Sequence, residues 1–181
     1  MLQIIVPGIE LWDESKEEFV MGAEPQLLEL EHSLDSISKW EARWNKAFIS
    51  KKDKSHEETI DYIKCMTLTP NVSPDVYTRL SRDNISEVEK YISAPMTATY
   101  FPKDGSGKGS NDVVTSEVIF YWMVSLQIPF ECQYWHLNRL IALIRVCEIK
   151  NKPSKKRSSK ELASRYAAQN AANRRRFGSR G

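Results

Sequence analysis

The sequence predicts an α+β protein: a small N-terminal antiparallel β-meander, then a mainly α-helical body, then a basic C-terminal helix or tail. Three observations lead there. Short apolar runs broken by Pro and Gly fill residues 3–31, and from Ser33 onward the apolar spacing changes to threes and fours. The last thirty-two residues carry eleven Lys or Arg against one acid, Glu161. The divided reading is one α+β domain over 1–150, with strands in 3–31 and helices over about 33–148, and a tail over 151–181.

Gln3 to Val6 is a β-branched run stopped by Pro7-Gly8. Ile9 to Trp12 and Phe19 to Met21 flank a polar turn, Asp13-Glu14-Ser15-Lys16, and Leu27 to Glu31 partly alternates. Ser33 is a candidate N-cap for a helix in which Leu34, Ile37, Trp40 or Glu41, and Trp44 share a face. After Lys51-Lys52-Asp53-Lys54, the spacing Ser55-His56-Glu57-Glu58 is a capping box, in which Ser and Glu each satisfy an orphaned backbone donor. Ile60, Ile63 and Cys65 or Met66 give the buried face of that second helix. Ser73-Pro74 starts a short helix to about Leu80, and another runs from about Asn84 to Ile92.

Residues 102–112 contain three glycines and no apolar side chain other than Pro102, the composition of a flexible loop. The most apolar helices follow, Val113 to Gln127 and about Glu131 to Lys150, joined at Ile128-Pro129 and expected to pack as an antiparallel hairpin. Pro153 ends the body. Ser158-Ser159-Lys160-Glu161 has the capping-box spacing again, ahead of an alanine- and arginine-rich segment to Arg176. Such a segment is marginal in isolation and firms up on docking.

With 41% hydrophobic and 28% charged residues the chain belongs to the globular class. No apolar run approaches the ~18 residues that cross a bilayer, and the start lacks a signal-peptide pattern, so no membrane partner and a cytosolic location are expected. Cys65, Cys132 and Cys147 are odd in number and without Cys-x-x-Cys spacing, which predicts reduced, packed thiols.

Motifs for catalysis are weak. Gly107-Lys108 is followed by Gly109 where a phosphate-binding loop needs Ser or Thr, and position 102 is Pro102 where it needs glycine. Cys132 and His136 share a helix spacing but supply only two ligands, and His32 and His56 lie in distant segments. Glu29 and Glu31 suit a solvated strand face. No nucleophile motif is present, so no catalytic residue, cofactor or metal is assigned and a non-enzymatic role is expected.

Charge and aromatic content point to binding. Residues 1–149 hold fifteen bases and twenty-three acids, so a net −8 body carries a +10 tail. Lys155, Lys156, Arg157, Arg174, Arg175 and Arg176 suit phosphates, an acidic protein face or solvent, and the lack of a base-reading element favours a protein partner over nucleic acid. Trp12, Trp40, Trp44, Trp122 and Trp135 are many for a body of this size. Trp122 and Trp135 are expected in the core, whereas Trp40 and Trp44, interleaved with Lys39, Arg43 and Lys46, are candidates for an exposed binding stripe.

Several segments resemble, as a set, a family of small proteins of long-tailed bacteriophages described as tail assembly chaperones. They are Leu28-Glu29-Leu30-Glu31-His32-Ser33-Leu34 with Ile37-Ser38-Lys39-Trp40-Glu41, Asp61-Tyr62-Ile63-Lys64-Cys65-Met66-Thr67-Leu68-Thr69, Pro95-Met96-Thr97-Ala98-Thr99, and Tyr134-Trp135-His136-Leu137-Asn138-Arg139-Leu140. The resemblance covers most of the chain, the basic tail included. It implies transient binding of the helical tape-measure protein in the host cytoplasm, release as the tail tube polymerises, and in some members a frameshifted longer form. Self-association is compatible with it. The alternatives are a virion structural protein, such as a tail or head-tail connector subunit, and a nucleic-acid-binding accessory protein.

Overall fold

The computed structural model describes residues 1–50, 53–101, 113–151 and 159–178. The chain is α+β: four antiparallel strands precede the helices, as the sequence predicts. Two compact units divide it, Met1–Glu148 and Ile149–Gly181.

The strands pair as nested hairpins. β1 (Leu2–Val6) lies against β4 (Gln26–Leu30), with Leu2 opposite Leu30 and Val6 opposite Gln26, and β2 (Ile9–Asp13) lies against β3 (Glu18–Ala23). One two-stranded ribbon is thus interrupted at Pro7-Gly8 on one side and Glu24-Pro25 on the other. Proline has no N–H to give a ladder. A Cβ on Gly8 would sit 2.5 Å from the Ala23 carbonyl oxygen, so the close approach of the two strands requires glycine there.

Alternation decides which face of the β1–β4 half is core. Ile4, Val6, Leu28 and Leu30 are buried, while Ile5 and Leu27, cross-strand partners, stay exposed on the other face. Both edges of this half are occupied. Asn84 Nδ2 donates to the Ile5 carbonyl at 3.1 Å, and on the β4 side Leu68 N donates to the Glu29 carbonyl and Glu31 N to the Met66 carbonyl.

α1 (Leu34–Trp44) begins at Ser33, whose hydroxyl accepts from Ser36 N while Ser36 Oγ accepts from Ser33 N, and ends at Asn45 in the left-handed region. α2 (His56–Met66) carries the expected Ser55/Glu58 capping box. The short helix expected after Ser73-Pro74 is a 3-10 turn, Pro74–Arg79; Pro74 opens it, but Ser73 makes no side-chain cap. α3 (Arg82–Ser93) starts two residues before the expected Asn84, which serves instead as the cap partner of Ser81. α1 packs on α2 and α4 (Ser116–Ser125), and α3 lies along β1. The core joins Ile4, Val6, Leu28, Leu30, Leu34, Ile37, Trp40, Ile63, Met66, Ile119, Met123 and Leu140. Each fully buried aliphatic of this kind contributes about 1.5–3 kcal/mol.

Two expectations are corrected in the second half. The helix from Glu131 divides into a 3-10 turn, Phe130–Tyr134, and α5 (Leu137–Asn151). The break occurs because His136 bridges to Ser33 and Leu137 N donates to the His32 carbonyl at 2.7 Å, which holds Trp135 and His136 extended. α4 packs on α1, so the expected hairpin of two consecutive helices is not the pairing used. The loop over 102–112, Lys51-Lys52 and Pro153 lie outside the described residues. In the second unit, α6 (Ser159–Phe177) matches the expected tail helix. Among the described residues no helix is long and apolar enough to cross a membrane.

Candidate interaction surface

The β2–β3 hairpin is apolar and uncovered. Its turn is dictated locally: Asp13 Oδ1 accepts from both Ser15 N (2.9 Å) and Ser15 Oγ (2.6 Å), Lys16 N bonds the Asp13 carbonyl, and Glu17 takes a positive φ of 53°. The Ser15 bonds hold the Asp13 carboxyl below its usual range, keeping the tip negative. Register then places Trp12 opposite Phe19 and Glu10 opposite Met21 on one face, and Leu11 opposite Val20 on the other. Trp12 and Phe19 meet edge to face with centroids 5.0 Å apart. Trp12 is 53% exposed, Phe19 68%, Met21 52% and Leu11 54%, so neither face of the hairpin is packed on the body. An uncovered two-stranded ribbon is marginal in water, and exposed aromatic clusters mark contact sites.

Arg79 fixes this arm. Its Nη1 donates to the carbonyls of Pro7 (2.7 Å) and Glu24 (3.2 Å), the residues at the two strand breaks, and its Nη2 lies 3.6 Å from Asp75. Six acids, Glu10, Asp13, Glu14, Glu17, Glu18 and Glu24, and one base, Lys16, lie between Ile9 and Glu24, a net −5.

The sequence-based candidates are distributed differently from expectation. Trp40 is fully buried, and this overturns its place on an exposed stripe: its Nε1 donates to the Glu58 carbonyl at 2.9 Å, and its ring stacks on Trp44 and meets Phe48 edge-on. Trp44 is partly buried, with Nε1 bonded to Asp61 Oδ2 at 2.9 Å, and Arg43 also pairs with Asp61. Trp122 packs against the core as expected, whereas Trp135 is 36% exposed beneath the Arg139 guanidinium, 4.4 Å from its ring. Arg174, Arg175 and Arg176 are exposed in the last turn of α6. Lys155, Lys156 and Arg157 lie outside the described residues. Sequence reasoning read Ile9–Trp12 and Phe19–Met21 as strands around a polar turn but did not single out Trp12 and Phe19 as a contact pair; the available signal was an apolar pair flanking a polar turn in a run with five acids.

The titratable groups inside the body are structural. His136 Nδ1 accepts from Asn138 N, which leaves the proton on Nε2, donated to the Tyr91 carbonyl at 3.0 Å. Glu31 is not simply solvated: it accepts from the Tyr91 hydroxyl at 2.6 Å and pairs with the Met1 amino group at 2.8 Å. His32 packs 5.0 Å from His136 and bonds Tyr62 through Nδ1. Burial, then the neighbouring His136 and Lys54, depresses the His32 pKa to about 3, and burial lowers that of His136. Burial raises the Cys65 thiol to about 11, so it is an unreactive core group. Among the described residues no three His, Cys, Asp or Glu side chains converge on a metal position.

A pH prediction follows from the histidines. Their folded pKa values lie below the unfolded 6.5, so the unfolded state binds more protons between about 3 and 6.5, and stability present above 6.5 is lost as pH falls through that window. Going from pH 7 to pH 5 should remove about 2 kcal/mol through His32 alone. Urea titrations at the two pH values measure it, and an unchanged midpoint would contradict it.

Comparison with models of protein families, with curated proteins and with solved structures finds no match.

Proposed function

We propose that the protein is a non-enzymatic phage tail assembly chaperone that transiently binds the tape-measure protein during tail assembly. One observation carries the reading: a preformed arm, β2–β3, offers Trp12, Phe19 and Met21 to a partner while its anchor sits in a well-packed body. Exposed aromatic anchors supply contact area, and their truncation typically removes roughly 2 kcal/mol of binding each. The segments of sequence resemblance add the identity of the client. In host cytoplasm the tape-measure protein should remain in the soluble fraction when co-expressed with this chain and precipitate when it is co-expressed with Trp12→Ala/Phe19→Ala. A client equally soluble with and without the chain removes the reading.

The exposed arm also suits a tail or connector subunit that buries it permanently against a neighbour. Mass spectrometry of purified particles separates the two, since a structural subunit is retained and a chaperone is absent.

A further inference from the structure

We infer that the Trp12–Phe19–Met21 face of the β2–β3 hairpin recognises a cationic amphipathic helix of the partner, one whose apolar stripe is flanked by Lys or Arg. The inference rests on the binding role proposed above and names the chemistry that role selects. Charge decides against a second copy of the hairpin as occupant. A second hairpin brings another net −5 to the same face, and two such arms repel each other. A partner bearing positive charge meets Glu10 within the face, Glu14 and Glu17 at the tip, and Glu24 at the base, while Asp13 and Glu18 pair on the opposite face.

Dimensions agree with a short helix. The five residues of β2 extend about 17 Å, which matches roughly three turns of α-helix. Anchors on such a helix recur at i, i+3, i+4 and i+7, so two or three apolar side chains reach the Trp12/Phe19 edge-to-face pair and Met21 while basic residues on either side reach the acids. The opposite face is less open: Leu11 folds over Gly22, where an added Cβ would lie 2.6 Å from the leucine Cδ1. The aromatic face, with Phe19 68% exposed where Val20 on the other face is partly buried, is the one we assign to docking.

The test uses the full chain and a synthetic 14-residue leucine–lysine amphipathic helix, with the leucine–glutamate counterpart as control. Titration by calorimetry should show binding of the lysine helix and none of the glutamate helix. Trp12→Ala/Phe19→Ala should weaken it by roughly a hundredfold or more, given two exposed aromatic anchors. Glu10→Lys/Glu14→Lys, which leaves the aromatic pair in place, should weaken it at least tenfold and flatten its salt dependence. Both pairs of positions are solvent-exposed, and circular dichroism of each variant checks that the fold persists.

Equal binding by either variant, equal binding of the two helices, or failure to bind the lysine helix overturns the inference. So does hairpin-dependent self-association in sedimentation without peptide binding, which would make a second copy the occupant. If the lysine helix binds as described but the tape-measure protein is not kept soluble, the chaperone reading alone falls. If the client is kept soluble while the peptide ignores the hairpin, the recognition chemistry alone falls.

Discussion

Replacing Trp40 with alanine should destabilise the protein by about 4 kcal/mol, the range found when a buried tryptophan leaves a cavity. The side chain is completely enclosed, stacked on Trp44 at 6.0 Å and edge-on to Phe48 at 5.1 Å, and its indole N–H is spent on the Glu58 carbonyl in α2. The residue therefore joins α1 to α2 both by packing and by a hydrogen bond. A stability of about 5–15 kcal/mol is usual for a single domain, so this loss is a large share of the total. Trp40→Phe keeps most of the volume and gives up the N–H; it should cost about 1–2 kcal/mol. Urea unfolding of the three proteins measures the series, and a Trp40→Ala protein within 1 kcal/mol of the parent would refute the core assignment.

Loss of Glu41 should be comparably severe. Its carboxylate is buried in α1 and makes three bonds outside that helix: Oε1 accepts from Phe48 N at 2.7 Å, and Oε2 accepts from Ser116 N at 2.7 Å and Ser116 Oγ at 2.6 Å. Thr115, the N-cap residue of α4, provides no side-chain cap, and the first backbone donor of α4, Ser116 N, bonds a carboxylate seventy-five positions earlier. Glu41→Ala strands these donors inside the protein at about 1–3 kcal/mol each, and the sum should reach about 4 kcal/mol. Glu41→Gln is also harmful, because one side of an amide is a donor and meets another donor; about 2 kcal/mol is expected. Hydrogen exchange should show the amides at the start of α4 losing protection first, and uniform exchange across the body would contradict the capping role.

What the sequence disclosed follows from the range of the interactions. The Ser55/Glu58 box and the Ser33 cap are satisfied within four residues, so spacing alone locates both helix starts. Trp40 was open to misreading because Lys39 and Arg43 alternate with it in the chain. On a helix these charges lie to the side, while Leu34, Ile37, Trp40 and Glu41 turn inward together. The break before α5 was not readable, since it depends on Ser33 bridging to His136 across the fold. The cap of α4 depends likewise on Glu41. The hairpin strands were legible from their composition and turn, but whether a layer covers them is a property of the assembled body, of which the acid-rich turn between Trp12 and Phe19 is an indirect sign.

The Arg79 contacts separate two properties of the arm that a continuous ribbon would tie together. At Pro7 and Glu24 the ladder between the hairpins is interrupted, and a single guanidinium from a turn fifty-five and seventy-two positions downstream grips both carbonyls. The base of β2–β3 is thus braced by one side chain at both breaks, while the recognition proposed for the arm lies with Trp12, Phe19 and the acids around them. Aim and specificity can change independently: a substitution at residue 79 would loosen the joint without altering the contact face, and a changed face would still be presented along the same line.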